Sequence, residues 1–434
     1  MCYAIPGKVE TVLGNIVTLD YFGEKKQAYN ELDYLRPDDF VYAQGGFVIR
    51  VISPEEARSI LSVFKETFYE LQEIDLRLTR VGLKDNGADK DILRILDKAL
   101  EEKKLSRANL LKLLTLKAPR ERELLYKVAN FLRRKYLSNS CCVHGIIEFS
   151  SYCWRNCAYC GISTHNQNLK RYRMSETEIL ENVTLAVEKH GFQALVLQSG
   201  EDTGFSPKQL AELIREIKKR HQLLIFVSCG EVGPEGLETL YEAGARGILL
   251  RFETANPLLY RSLHPGSYLN SRIEHLKRAY ETGYLVITGS LVGLPGQTPE
   301  DILDDIFLAR DLHTEMYSFG PFIPHPETPL STFPQADSIT ILNTLAVLRI
   351  VDPRNAKILV TSSFETIDPQ AKEKGLMAGA NSVMLNVTPG EYQKSYSIYP
   401  NRANEDIALE EQIRRTLDLL YRIGRAPTDL GVKG

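Results

Sequence analysis

The rhythm of apolar and polar positions changes three times along the chain. Over the first 52 or so residues the apolar positions fall in short β-rich runs. "KVETVLGNIVTLDYF" holds two of them, meeting at Gly14-Asn15, a hairpin signal. "QAYNELDYL" and "DDFVYAQGGFVIRVI" add further short strands, and Gly45-Gly46 inside the last predicts a bulge or a close backbone approach. Strands this short in so small a unit predict a mini-barrel of the OB-like kind. Ser53-Pro54-Glu55-Glu56 then opens a helix, with Ser as N-cap, Pro at the first position and Glu at the third. That helix is expected to run to about Arg80.

"KDNGADKD", Lys84 to Asp91, is polar and turn-rich and marks a boundary. Helical spacing of three and four follows to about Leu137, in "DILRILDKALEEKK" and "RERELLYKVANFLRRKYL". From Gly145 a short apolar run and a helix alternate. The runs are "IIEFS", "ALVLQS", "LLIFVS", "GILLRF", "VITGSLVG", "MYSFG", "KILVTS" and "SVMLNV". Eight such runs predict a parallel (β/α)₈ TIM-type barrel, with an open parallel sheet as the alternative. A last helix spans about Asp406 to Ile423. The expected class is α/β, divided as a small β-barrel with its helix (1–80), a helical linker (81–137) and the large barrel (138–434).

Composition narrows the function. The 434 residues carry a net charge of −3, with 43% hydrophobic and 25% charged residues, as in an ordinary soluble protein. That balance argues against a nucleic-acid partner, which calls for a basic surface. No apolar run is long enough to cross a bilayer, and "MCYAIPGKVE" is no secretory signal, so a cytoplasmic protein is expected. In a reducing compartment, seven cysteines point to metal or catalytic chemistry rather than a disulfide framework.

In a TIM-type barrel the chemistry lies where strands pass into loops. The polar clusters fall there: "SGED" at Ser199, "SCGE" at Ser228, "RFETAN" at Arg251 and "TSSFET" at Thr361. After "IIEFS" comes "SSYCWRNCAYCGIS", with Cys153, Cys157 and Cys160. Three thiolates at this spacing can grip one face of a [4Fe-4S] cubane and leave the fourth iron open. A zinc site would instead need a fourth Cys or His nearby, for which His165 is close enough. Cys141 and Cys142, read as preceding the first strand, and Cys229 are expected to be packed thiols.

The C-x3-C-x2-C loop, with Tyr159 before its last cysteine, resembles the radical S-adenosylmethionine (SAM) superfamily. "NLKRYRMS", "LQSGED", "RFETANPLLYRSLHP", "GSLVGLPGQT" and "FGPFIPHPETPL" resemble its HydE branch over roughly residues 120 to 400. HydE is an [FeFe]-hydrogenase maturase type related to biotin synthase and methylornithine synthase. The resemblance implies a [4Fe-4S] cluster on the three cysteines and SAM on the open iron, cleaved by an electron from the cluster to a 5′-deoxyadenosyl radical. It implies that Glu201 holds the SAM amino group, and that Arg251, Glu253 and Arg272 contact its ribose and carboxylate. Tyr159, Ser199 and Gly293 fall on the same SAM-binding motifs, Gly289 and Gly293 by letting backbone approach the adenine. Thr298-Pro299-Glu300-Asp301, by contrast, is a plain helix start. Substrate contacts are implied at Thr361, Ser362, Ser363, Thr366, Met384, Tyr392 and Tyr396, with core packing the alternative for Met384. The chain departs from the branch at Phe252, where His is usual, and at Ser363, Phe364 and Glu365. No cysteine follows Cys229, so the auxiliary C-terminal cluster of many HydE proteins is expected to be absent.

"MCYAIPGKV" resembles HypC, the small chaperone of [NiFe]-hydrogenase maturation, over about residues 1 to 75. The resemblance implies that Cys2 becomes N-terminal and is an iron ligand, a thiolate being a soft donor, with an inherited structural position as the alternative. It departs from HypC at Gln44, where His is usual. The expected function is radical SAM chemistry on a small or iron-bound substrate in hydrogenase metal-centre maturation, with diatomic-ligand synthesis or delivery for the [NiFe] site as one form. The expected partners are a reductant such as ferredoxin or flavodoxin and hydrogenase-maturation proteins. The rivals are a free-standing enzyme that rearranges or fragments an amino acid, and a cluster-bearing scaffold without turnover.

Overall fold

The computed structural model describes residues 3–32, 34–83 and 87–431. Cys2 and Lys84, Asp85 and Asn86 of the expected boundary lie outside them. Strands β1 (Gly7–Leu13), β2 (Ile16–Tyr21), β3 (Glu24–Tyr29), β4 (Phe40–Gln44) and β5 (Phe47–Ile52) close a small barrel in the order β1-β2-β3-β5-β4. Gly14-Asn15 makes the first hairpin turn. The third strand comes from "EKKQAY", earlier than expected, because these residues pair along β2 while their long polar side chains reach solvent. Gly45-Gly46 is not a bulge but the turn that splits "DDFVYAQGGFVIRVI" into β4 and β5; the bulge falls at Tyr42 and Ala43.

Helix α1 (Pro54–Leu78) starts on Ser53, whose hydroxyl accepts from the Glu56 N–H at 3.1 Å. Helices α2 (Lys90–Leu100), α3 (Arg107–Leu114) and α4 (Pro119–Leu137) lead to the large barrel. Its eight parallel strands are β6 (Ser140–Ser150), β7 (Ala194–Ser199), β8 (Leu224–Ser228), β9 (Gly247–Leu249), β10 (Leu285–Thr288), β12 (Met316–Tyr317), β14 (Lys357–Val360) and β15 (Ser382–Asn386). Pairing of β15 with β6 closes the ring, so the open-sheet alternative fails. "VITGSLVG" and "MYSFG" each break in two, and their second halves, β11 (Leu291–Val292) and β13 (Gly320–Pro321), pair with each other outside the ring. β16 (Ala426–Pro427) adds to the start of β6. Cys141 and Cys142 therefore lie within the first strand rather than before it, and both are buried.

The small barrel docks under the N-terminal ends of the large barrel's strands. A Cβ on Gly45, whose φ is 56°, would lie 2.6 Å from Leu224 Cδ2 and 3.0 Å from Leu285 Cδ1, at the starts of β8 and β10. Phe47 and Ile49 pack on the apolar floor formed by Leu224, Phe226 and Met316. Gln44 is fully buried and donates to the Gln193 carboxamide oxygen. Arg246 Nε donates to Glu31 at 2.9 Å. The floor of the barrel is thus sealed by the β4–β5 turn.

Helix α1 is anchored through one carboxylate. Asp75, 1% exposed, receives Arg133 at 2.6 and 2.9 Å and lies 3.3 Å from Arg425 Nε; both arginine side chains are wholly buried. Guanidiniums do not shed their charge. Removing the carboxylate from such a cluster strands buried cations, which costs about 3–5 kcal/mol. Asp75→Ala is expected to lose that much stability in urea denaturation monitored by far-UV circular dichroism, against a change within about 0.5 kcal/mol for the exposed Glu66→Ala on the same helix.

Candidate functional site

The C-terminal ends of the barrel strands surround a cavity of about 1690 Å³, counting space open to solvent. Most of the segments that meet there leave strand ends, among them the loop carrying Cys153, Cys157 and Cys160 after β6. Arg171 clamps that loop. Its guanidinium donates to the carbonyls of Ser151 (2.7 Å), Ile162 (2.8 Å) and Ser163 (2.8 Å). The Ala158 N–H donates to the Leu263 carbonyl and the Gly161 N–H to that of Ile398, at 2.8 and 2.9 Å. The thiols converge: burial, then the nearby Cys160 and Cys153, pushes the Cys157 thiol well up, and burial pushes Cys160 up to about 12. A thiol held this way ionises only when a cation takes the charge.

The Ser199–Asp202 loop after β7 runs against the cysteine loop. A Cβ on Gly200 would sit 2.3 Å from the Tyr152 carbonyl oxygen and 2.7 Å from Cys153 Cβ, so only glycine permits this approach. The Gly200 N–H donates to Ser150 and the Trp154 N–H to Glu201, both at 3.1 Å, tying the two loops together. The Glu201 carboxylate receives Arg155 Nε at 2.6 Å and lies 3.6 Å from Arg272. Arg272, on the helix Leu269–Thr282, also donates to Glu231 at 2.8 Å and to the Arg251 carbonyl at 2.9 Å. Arg251 pairs with Glu253 at 2.5 Å. Glu253 adopts a left-handed φ of 68°, a strain of about 1–3 kcal/mol, held by backbone bonds to Gly289 and Leu291. Arginines and carboxylates alternate around the rim, a setting suited to a ligand with both signs of charge.

At the far side, Thr361 and Ser363 hydroxyls lie 2.9 Å apart, and Ser362 meets the Tyr399 hydroxyl at 3.0 Å. Met384 and Tyr396 complete this wall. Beside them is a buried ion pair: Arg402 reaches both Glu148 oxygens, at 2.5 and 3.1 Å, and donates to the Tyr396 carbonyl at 2.7 Å. Asn386 also donates to Glu148.

Of the residues expected at the site, Tyr159, Cys160, Ser199, Glu201, Arg251, Glu253, Arg272, Thr361, Ser362, Ser363, Met384 and Tyr396 line this cavity. Three do not. Gly293 faces the segment leading into the helix Ser338–Val351: a Cβ there would meet Ala336 Cβ at 2.5 Å, so its glycine answers to packing. Tyr392 stacks on Tyr172 with ring centroids 4.7 Å apart and donates to Glu178, away from the cavity. Thr366 accepts from the Ala403 N–H at 3.0 Å on the outer side of its short helix. The expected list lacks Glu148, Arg402, Arg155 and Glu231. Glu148 had a signal, a carboxylate on the inward face of an apolar strand; Arg402, in an irregular loop, had none. Cys229 packs against the shell, and burial pushes its thiol up to about 12. His165 Nε2 donates to the Asn156 carbonyl at 3.0 Å, on the exposed side of the loop.

Two outcomes follow from these supports. Arg171→Ala removes the charge-assisted bonds that shape the cysteine loop, each worth about 1.5–3 kcal/mol. It is expected to lower iron bound per chain after anaerobic reconstitution while leaving the far-UV spectrum unchanged. Asp305, which accepts from the Ala255 N–H at 2.5 Å and so supports the Glu253 loop, is pushed up to about 7 by burial. Its folded value lies above its ordinary one of 3.8, so the unfolded chain ionises first and stability falls as pH rises through that interval, with the full cost present above about 7. Asp305→Asn is expected to flatten the fall in melting temperature between pH 5 and pH 8, read by thermal denaturation across about that range.

Comparison with known proteins agrees with this geometry. Residues 147–309 match the Radical SAM superfamily, residues 1–64 the HupF/HypC family and residues 318–413 the Biotin and Thiamin Synthesis associated domain. The chain is 40% identical over 331 residues to the [FeFe] hydrogenase maturase subunit HydE of Thermotoga maritima, covering 76% of this chain and 94% of that protein. It is 30% identical over 338 residues to 3-methylornithine synthase of Methanosarcina acetivorans, covering 77% and 93%. The crystal structure of methylornithine synthase (PylB) superposes with a TM-score of 0.68 at 28% identity, covering 77% of this chain and 97% of that one. The HydG maturase of Carboxydothermus hydrogenoformans shares the fold, with a TM-score of 0.67 at 20% identity over 84% of this chain and 85% of that one. The chain belongs to the radical SAM enzymes, in the branch that holds HydE and 3-methylornithine synthase, and carries a HupF/HypC-family domain at its N-terminal end.

Proposed function

We propose that this radical SAM enzyme serves hydrogenase metal-centre maturation, acting on a small anionic or iron-bound substrate. The observation that carries the reading is the joining, on one chain, of a barrel 40% identical to HydE with a HupF/HypC-family domain. The cofactors of the superfamily are a [4Fe-4S] cluster and SAM, which together supply a 5′-deoxyadenosyl radical. The donor set fits them: three converging thiols on a clamped loop, beside a rim of alternating charge.

In this reading Cys153, Cys157 and Cys160 hold the cluster. Glu201 takes the SAM ammonium, which shares the carboxylate with Arg155. Arg251, Glu253 and Arg272 orient its ribose and carboxylate, and Tyr159 and Ser199 bound the pocket. The substrate lies between this rim and the wall of Thr361, Ser362, Ser363, Met384 and Tyr396. Arg402 supplies the positive charge for an anionic substrate, held in place beforehand by Glu148. Buried walls on this side keep water from a radical that would otherwise be quenched.

The HypC-like domain acts from the other end of the barrel. Gln44, in place of the usual His, is an amide sealed against Gln193, so this position offers neither an imidazole nor access. The domain therefore docks maturation proteins rather than passing substrate through its β4–β5 turn into this cavity. Delivery of a diatomic ligand for a [NiFe] site is one form the chemistry takes. A second reading, an amino-acid substrate, is favoured by the Glu148–Arg402 pair, which matches a zwitterion, and by the likeness to 3-methylornithine synthase.

Anaerobically reconstituted protein given dithionite and SAM is expected to release 5′-deoxyadenosine, and Cys157→Ala to abolish that release. Absence of 5′-deoxyadenosine from cluster-loaded protein would contradict turnover. Deleting the gene in its host is expected to leave hydrogenase without its complete metal centre; an unchanged centre would leave the amino-acid reading in its place.

A further inference from the structure

At the opposite end of β6 from the cysteine loop, three metal-ligating side chains are buried together. Cys142 and His144 stand two residues apart, both on the inward face of the strand. Asp429 reaches them from the tail after β16. One ligand atom from each lies within 4.8 Å of the others. The three residues are 3%, 2% and 1% exposed. His144 Nε2 is 3.1 Å from Asp429 Oδ2. Its ring stacks on Phe226 at 5.1 Å, and its Nδ1 has no hydrogen-bond partner. A ring held at one nitrogen can lend a nitrogen to a metal without losing a second bond. The Thr428 hydroxyl donates to Asp429 Oδ2 at 2.6 Å, the outer support that metal-binding carboxylates commonly have.

We propose that Cys142, His144 and Asp429 form a second metal site, separate from the cluster loop, that takes a divalent transition ion of the zinc class. The donor set of one sulfur, one imidazole and one carboxylate is that of a zinc site with three protein ligands, whose fourth position would take a water, with bonds of about 2.0–2.3 Å. The charges balance. A dication would be matched by the Cys142 thiolate and the Asp429 carboxylate, while the neighbouring Lys357 is already paired with Glu315. Burial pushes the Cys142 thiol well up, and binding of the ion is what would release its proton. The site is about eight residues down β6 from the cysteine loop, on the order of 26 Å at strand rise, and the apolar layer of Ile146, Phe226 and Met384 lies between.

Its place gives it a task. Asp429 belongs to the tail and Cys142 to the first barrel strand, so the ion ties the two ends of the large barrel's chain together. The Gln193 N–H donates to the Asp429 carbonyl at 2.8 Å, while the Gln193 side chain receives Gln44 of the small barrel. The tie thus sits directly above the docking contact between the domains.

The test uses the full chain with Cys153, Cys157 and Cys160 replaced by Ala, so that the cluster loop binds nothing. This protein is purified from zinc-supplemented and, separately, cobalt-supplemented cultures and passed through EDTA. Roughly one zinc per chain is expected, with an X-ray absorption signature of one sulfur at about 2.3 Å and nitrogen or oxygen at about 2.0–2.2 Å. The cobalt protein is expected to show a sulfur-to-cobalt charge-transfer band. Adding Cys142→Ser or Asp429→Asn is expected to reduce the retained zinc by about tenfold or more. Less than roughly a tenth of an equivalent of either metal in the parent chain, a zinc signature lacking sulfur, or zinc unchanged by Cys142→Ser would each overturn the proposal. The spectroscopic arms read the parent chain, so they do not depend on the folding of the added variants.

Discussion

Strand β6 is the constraint on which the molecule depends. It pairs with β7 on one side and β15 on the other, and that second pairing turns a sheet into a ring. Side chains alternate along it. Val143, Ile147 and Phe149 face the helical shell, while Cys142, His144, Ile146 and Glu148 face inward. Shifting its register by one residue would put Glu148 among the shell helices and Phe149 into the cavity, so the floor, the charged wall and the cysteine loop are all set by one alignment. At its upper end the strand releases the cysteine loop, which Arg171 shapes before any ligand arrives. At its lower end it receives β16 and the tail.

Two ends of one barrel therefore do different work. The upper end is open, charged and built from loops, with strain retained at Glu253. The lower end is closed, apolar and covered by a second domain. The small barrel's closest approach, at Gly45, is made possible by the absence of a side chain. Its fit on Leu224 and Leu285 covers the floor beneath the cavity.

Much of this could be read in the sequence because periodicity reports burial directly. Eight apolar runs gave eight ring strands, and the polar clusters after them met at one mouth. The three-cysteine loop stood out since its spacing has few other uses. What escaped did so for physical reasons. "VITGSLVG" and "MYSFG" read as single strands, yet each breaks where its chain leaves the ring. Arg402 belongs to an irregular stretch with no period, so its pairing with Glu148 exists only in three dimensions. Gly293 and Tyr392 lie in the right motifs but answer to local packing, against Ala336 and Tyr172. Cys142, His144 and Asp429 come from the two ends of the large barrel, and no spacing rule links them.

The docking of the β4–β5 turn also bears on how the chain is made. Phe47 and Ile49 leave the ribosome ahead of the large barrel, and Leu285 of their floor is added roughly ten to fifty seconds later at ordinary synthesis rates. Until then the small barrel, though closed, carries an uncovered apolar turn. Nascent chains at this stage are open to chaperone capture, or to mispairing with a neighbour on the same message, and the hazard ends only when the barrel floor is complete.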